Sequence, residues 1–145
     1  MSTLILIRGL PGSGKSTLGA TIAPFATIAA DDYFMVRDQY VFDSTRLASA
    51  HADCQRRAAV LVGNNDFVVV TNTFSQRWEL EPYLKIARAA GAAVTVVDLF
   101  DNGHTDAELA ARNVHGVPEA TIAAMRGRWE HDWRVGDPRP PWERR

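Results

Sequence analysis

Short apolar runs recur along the chain, and longer stretches of helical character separate them. Leu4 to Ile7 is continuously apolar, stops at Arg8 and runs into glycine and proline. That is the signature of a parallel strand buried on both faces. A glycine-rich turn follows, then a helix from Lys15 to about Ala23, where Pro24 ends it. Ala26 to Ala30 reads as a short second strand leading into Asp31-Asp32. Asp43-Ser44 resembles a helix N-cap. The helix after it carries Ala48, Ala52, Ala59 and Leu61 and stops at Gly63-Asn64. Phe67 to Thr71 is a β-branched strand. A third helix, with Ser75 as its expected cap, runs through Trp78, Leu80 and Tyr83 to Gly91. Ala93 to Leu99 is the fourth strand, and Asp101-Asn102-Gly103 is a turn. Two more helices are expected, from about Asp106 to Asn113 and from Pro118 to Trp133.

Strands alternate with helices, and each gap is long enough for a crossover. The pattern predicts an α/β fold with a parallel sheet. The chain has 145 residues, enough for one domain and no second core. No linker or internal repeat interrupts it. Residues 1–135 form the expected domain. Residues 136–145, with Pro138, Pro140, Pro141 and two terminal arginines, read as an extended or partly disordered tail.

Net charge is −1, which excludes non-specific coating of nucleic acid through a basic field. The basic side chains are lopsided, with fourteen arginines against Lys15 and Lys85. Coding bias accounts for much of this in an alanine-rich chain. Arginine is also the better clamp for phosphate, because its fork binds two oxygens. Cys54 is the only cysteine, so an internal disulfide and a cysteine zinc cluster are both ruled out. The apolar N-terminal run is far too short for a membrane span and has no leader-like flanks. A reducing, cytoplasmic setting is expected.

Gly9-Leu-Pro11-Gly12-Ser13-Gly14-Lys15-Ser16 matches G-x-x-x-x-G-K-[ST], after a strand and at the start of a helix, as the motif requires. Glycines let the backbone N–H groups turn toward phosphate oxygens, and the helix start adds positive potential. Lys15 is expected to reach the β- and γ-phosphates of a nucleoside triphosphate. Ser16 is expected to ligate Mg²⁺. Asp31-Asp32-Tyr33 lies past the second strand, on the edge where parallel sheets bind ligands. A carboxylate there can take the proton of an incoming hydroxyl, or merely cap a turn. Thr71-Asn72-Thr73 ends the third strand on the same edge, with no acid to hold a Mg²⁺ water shell. Arg112-Asn113-Val-His115-Gly116, followed by Arg126 and Arg128, suits a helical lid whose arginines stabilise a transferring phosphoryl group. The same arginines can equally form a solvated face.

Gly9 to Thr17 followed by Asp31-Asp32-Tyr33 resembles the kinase domain of phage 5′-hydroxyl polynucleotide kinase. Asn72-Thr73, Trp78-Glu79-Leu-Glu-Pro82-Tyr83, Ala111-Arg112-Asn113-Val-His115-Gly116-Val117 and Arg128-Trp-Glu-His131-Asp132 are more similar still to the small P-loop domains of NEDD4-binding-protein-2-like proteins and their phage and bacterial relatives. This resemblance spans residue 4 to about 132. It implies a P-loop NTPase of the kinase type: a three-layer sandwich with a small, about four-stranded parallel sheet and a C-terminal helical lid. It implies ATP and Mg²⁺ as cofactors, Asp31 as general base, Arg112 as the lid arginine and Arg128 near the nucleotide. The sequence departs from the family where its acid would follow the third strand. It departs again at Phe34, where the phage enzyme carries an arginine that grips the acceptor's phosphate, and near His115, where a second lid arginine is replaced.

Three functions remain open. The first is a kinase acting on a nucleic-acid hydroxyl, either a 5′ end or a hydroxymethylated base. Its acceptor groove would hold Asp32, Tyr33, Phe34, Arg37, His51, Arg56, Asn72 and Thr73, with Arg46 and Arg57 nearby. Tyr33 and Phe34 would stack on a base. The second is a kinase acting on a small molecule such as a sugar acid or nucleoside, which suits the near-neutral charge. The third is a non-catalytic nucleotide-binding module. Trp129 and Trp133 read as core packing.

Overall fold

The computed structural model describes residues 1–144. Arg145, the last residue of the expected tail, lies outside them. Four strands form a parallel sheet: β1 (Thr3–Gly9), β2 (Thr27–Ile28), β5 (Phe67–Asn72) and β6 (Ala93–Phe100), in the order β2-β5-β1-β6. The α/β fold class and its small parallel sheet are as expected. β1 lies between β5 and β6, pairing Leu6 with Val70 and with Val96. Being central, β1 is covered on both faces, which is why its apolar run is continuous. It extends past the expected end at Ile7, through Arg8 and Gly9, and Arg8 is fully buried.

Alternation along the strands divides the core into two layers. Leu4, Leu6, Val68 and Val70 face helices α2 (Leu47–Val62) and α3 (Arg77–Ala90), meeting Ala50, Cys54, Ala58, Leu80, Tyr83 and Ala87. Ile5, Ile7 and Val69 face the other side, with Ala23, Ala26 and Leu18 at helix α1 (Lys15–Ile22). Helices α4 (Asp106–Arg112) and α5 (Glu119–Gly127) close a third cluster of Leu10, Leu109, Ile122 and Trp129 at the carboxyl edge of the sheet.

Five local expectations are corrected. β2 is only two residues long, and Ala30–Phe34 is a 3₁₀ turn. A hairpin that the sequence pattern did not suggest follows, pairing β3 (Met35–Val36) with β4 (Gln39–Tyr40). Its tip is Arg37-Asp38, both with positive φ, without the Asn-Gly pair that usually announces such a turn. The N-cap of α3 is Gln76; Ser75 instead donates its hydroxyl to Glu79. α5 ends at Gly127 and does not reach Trp133, so Trp129 enters the core from outside a helix. The tail carries a 3₁₀ turn, Pro141–Glu143, and folds back to set Trp142 edge-on against Trp78. Among the described residues, no helix is long and apolar enough to cross a membrane.

Candidate active site

The loop between β1 and α1 is fixed at both shoulders. Gly9 N–H donates to the Thr73 carbonyl at 3.2 Å, and Leu10 N–H donates to the Phe100 carbonyl at 2.8 Å. Gly12 and Gly14 have φ of 85° and 98°, values that an L side chain resists. A Cβ on Gly12 would also lie 2.6 Å from the Leu109 carbonyl, so α4 rests directly on the loop. Arg112 Nε donates to the Gly12 carbonyl at 3.1 Å, and Asn102 Nδ2 to that of Ser13 at 3.1 Å. Pro11 is half-buried, and Ser16 and Thr17 are exposed on the first turn of α1.

Two polar groups in this loop lack the partners a phosphate would give them. The buried Ser13 hydroxyl has no hydrogen-bond partner among the described residues. Lys15 Nζ turns back onto the carbonyls of Gly9 at 2.8 Å and Leu10 at 3.1 Å. Burial lowers Lys15 from its ordinary value of 10.5 to about 8, and the carboxylate of Asp31 partly offsets this. A site that desolvates a cation beside a glycine-rich turn suits an anionic ligand.

The Asp31-Asp32 pair divides into two roles. Asp32 accepts from Ala29 N–H at 2.9 Å and pairs with Arg57 at 3.3 Å, capping the 3₁₀ turn. Asp31 faces elsewhere: its Oδ1 accepts from the Tyr40 hydroxyl at 2.9 Å, and its Oδ2 lies 3.7 Å from His115 Nε2. Burial and the Asp31 carboxylate push Tyr40 well above the ordinary phenol range, so Tyr40 is a donor here. The Asn72 amide oxygen accepts from Ala30 N–H at 2.8 Å, tying β5 to the turn that carries Asp31. Asn72 therefore stands at 9% exposure, where its oxygen holds the backbone. Thr73 is half-buried beside it and binds the loop through its carbonyl.

The other expected acceptor contacts scatter. Phe34 is 3% exposed and packs against Tyr33, Tyr40 and Phe42, so it cannot stack on a base. Arg56 pairs with Asp53 on its own helix. Arg57 is spent on Asp53, Asp32 and the Ala29 carbonyl. Arg46 covers the Tyr33 ring and donates to its hydroxyl. Arg37 stands exposed at the hairpin tip. His51 opens onto a mainly apolar cleft of about 650 Å³ between α2 and α3, floored by Asn72 and Phe74 and roofed by Pro140 and Trp142 of the tail. Arg128 reaches Ser75 at 3.3 Å rather than the phosphate loop, and Arg126 is held by Asp101 and Asp106. Tyr40 is the unexpected member of the site, and His115, expected only within the lid motif, stands beside Asp31 as well.

A strand, a phosphate-type loop and a helix under a helical cover, on a parallel sheet, define a P-loop fold of the kinase type. The sequence profile of the family described as an AAA domain matches residues 4–131, and the chain belongs to that family. It is 38% identical over 132 residues to human NEDD4-binding protein 2, a match covering 84% of the chain but only 7% of that much longer protein. The expected kinship with small P-loop kinases is thereby met. Among solved structures, the Pnkp1/Rnl/Hen1 complex aligns with a TM-score of 0.59 at 19% identity, over 77% of this chain and 38% of that one. A gluconokinase from Sinorhizobium meliloti aligns with 0.53 at 20% identity, over 96% and 78%. The APS kinase CysC of Mycobacterium tuberculosis aligns with 0.50 at 16% identity, over 71% and 78%. These three likenesses concern the fold.

Proposed function

We propose that the chain is an ATP-dependent phosphotransferase whose acceptor is a nucleic-acid hydroxyl. The observation that carries the kinase reading is Asp31: a carboxylate that accepts from Tyr40, faces His115 at 3.7 Å and is near enough to Lys15 to act on its charge. In this reading Lys15, the loop N–H groups and Arg112 bind the triphosphate. Ser16, exposed on the first turn of α1, would be the side chain that holds Mg²⁺. Bound Mg²⁺ would neutralise charge on the phosphates. The acceptor oxygen bonds to the γ-phosphorus, its proton passes to Asp31, and the bond from the γ-phosphorus to the bridging oxygen breaks, releasing ADP. The resemblance of Gly9 to Thr17 and Asp31-Asp32-Tyr33 to phage 5′-hydroxyl polynucleotide kinase supports the nucleic-acid acceptor. A small-molecule acceptor is the second reading, favoured by the pairing of Arg46, Arg56 and Arg57 and by the mainly apolar cleft beside His51.

The test is transfer from γ-labelled ATP with Mg²⁺ to 5′-hydroxyl oligonucleotides, hydroxymethyluracil-containing DNA and a panel of small alcohols. Label on an oligonucleotide is the expected result. Label only on a small alcohol selects the second reading. ATP binding with no labelled acceptor would sink both.

Lys15 gives nucleotide binding a pH signature. The free protein holds its ammonium below about pH 8, and a triphosphate needs that charge. Above pH 8 binding must take up a proton, so affinity falls by up to about tenfold per pH unit. Calorimetry in two buffers of different ionisation enthalpy should show net proton uptake at pH 9. Identical apparent enthalpies in the two buffers would contradict it.

A further inference from the structure

The segment between α4 and α5 is a short knuckle with an internal frame. Asn113 donates from Nδ2 to the carbonyls of Leu109, Ala110 and Val117, and its Oδ1 accepts from Val117 N–H at 2.8 Å. Gly116 turns the chain with φ of 69°. This frame projects two side chains. Arg112 reaches the Gly12 carbonyl of the phosphate loop. His115 reaches across to the turn after β2, its ring 4.2 Å from the Tyr40 ring and its Nε2 3.7 Å from Asp31 Oδ2. Its Nδ1 is buried and has no hydrogen-bond partner among the described residues. With Nδ1 unpartnered, Nε2 is the ring nitrogen placed to meet the carboxylate.

We propose that His115 is a positioning residue for Asp31, acting together with Tyr40. Tyr40 donates to one carboxylate oxygen at 2.9 Å, and His115 Nε2, from a segment far away in sequence, stands 3.7 Å from the other, where a small closing shift makes the second hydrogen bond. A carboxylate rotates about its terminal torsion with little resistance, so one donor fixes a distance and two fix a plane. Tyr40 belongs to the hairpin and is always at hand; His115 belongs to the lid. Arg112 and His115 ride on the same knuckle, so docking of the lid brings one contact to the phosphate loop and the other to the base in a single motion. Asp31 is then aligned only when the lid also covers the phosphates. Without that coupling, an aligned base would face an open, water-filled site.

This proposal rests on Asp31 being the base, and the experiment separates the two claims. Steady-state turnover of ATP, with the labelled acceptor and with water, is measured for the full chain and for His115→Phe, His115→Gln, Asp31→Asn and the Asp31→Asn/His115→Phe pair. His115→Phe keeps the ring contact with Tyr40 and loses the donor. Its kcat should fall by roughly ten- to a hundredfold, the scale of a misaligned catalytic group, with KM for ATP unchanged. His115→Gln retains an N–H donor and should recover most of the loss. In the Asp31→Asn background His115→Phe should cost nothing further. Multiplicative losses in the pair, or a raised KM for ATP at unchanged kcat, would overturn the proposal. A silent His115→Phe beside an impaired Asp31→Asn removes the positioning role alone. Full turnover by Asp31→Asn, or none by the unaltered chain, removes the base as well. Melting curves exclude a folding defect as the source of any loss.

Discussion

Replacing Asp31 with asparagine leaves ATP binding intact and lowers phosphoryl transfer by roughly 10²–10⁴-fold, the usual cost of losing a general base. The substitution is close to isosteric. Its amide oxygen still accepts from Tyr40, so the 3₁₀ turn and the hairpin keep their contact. What goes is the ability to take a proton from the incoming hydroxyl. Removing a negative charge near Lys15 also leaves the triphosphate no less welcome. The signature is therefore a fall in kcat at constant nucleotide affinity, read by rapid-quench transfer and by nucleotide titration. Lys15→Ala serves as the contrast, because it must weaken binding and transfer together. An Asp31→Asn protein that transfers at the normal rate would move the base elsewhere, and with it the whole reading of this edge of the sheet.

The phosphate loop was legible because its signal is local. Glycines, lysine and serine stand at fixed offsets between a strand and a helix, and the structure needs little else to form it. The strand order was less so: β5 pairs with β1 through contacts more than sixty residues apart, which no local pattern encodes. Asp31 and Asp32 are adjacent and chemically identical, so the local pattern offers both as base and both as cap, and only the family resemblance points to Asp31. They are told apart by partners that arrive from other segments, Arg57 for one and Tyr40 with His115 for the other. Tyr40 lies on two-residue strands with no turn signature, below the length at which alternation can be read. The partners of the expected acceptor arginines were hidden for a related reason. Arg56 and Arg57 look available in sequence, but Asp53 stands three and four residues before them on the same helix face and engages both. α5 stops at Gly127, short of the expected Trp133. Packing, which the sequence does suggest for both rings, holds Trp129 in place without a helix.

Replacing Arg8 with methionine should destabilise the fold by about 3–5 kcal/mol, the sum expected for two charge-assisted hydrogen bonds to buried carbonyls at roughly 1.5–3 kcal/mol each. Arg8 is 0% exposed in the central strand. Its Nε donates to the Phe74 carbonyl at 2.9 Å and its Nη2 to the Ser75 carbonyl at 3.1 Å, while its Nη1 meets Asp98 at 3.1 Å. Its guanidinium also lies over the Trp129 ring, 4.1 Å from the centroid. One side chain thus ties the ends of β5, β1 and β6 to the segment after α5. Burial alone would push the guanidinium toward its neutral form, and Asp98, Glu79 and Glu130 oppose this. Methionine fills similar volume but leaves the buried Phe74 carbonyl without a donor and the Ser75 carbonyl with the Glu130 N–H alone. Lysine does not rescue the site, because a single ammonium cannot reproduce the three-way fork. Asp98 is 37% exposed, so Asp98→Asn leaves Arg8 its two carbonyls and should cost far less. For a chain of this size, 3–5 kcal/mol corresponds to a drop in melting temperature of roughly 10–15 °C, measurable by calorimetry. The loss should also reach the site. Gly9, next in the strand, begins the phosphate loop and binds Thr73, directly before the carbonyl that Arg8 holds. Nucleotide affinity should therefore fall in Arg8→Met even well below its melting temperature. A variant that melts within about 3 °C of the unaltered chain, less than about 1 kcal/mol of change, would show that the fork is dispensable.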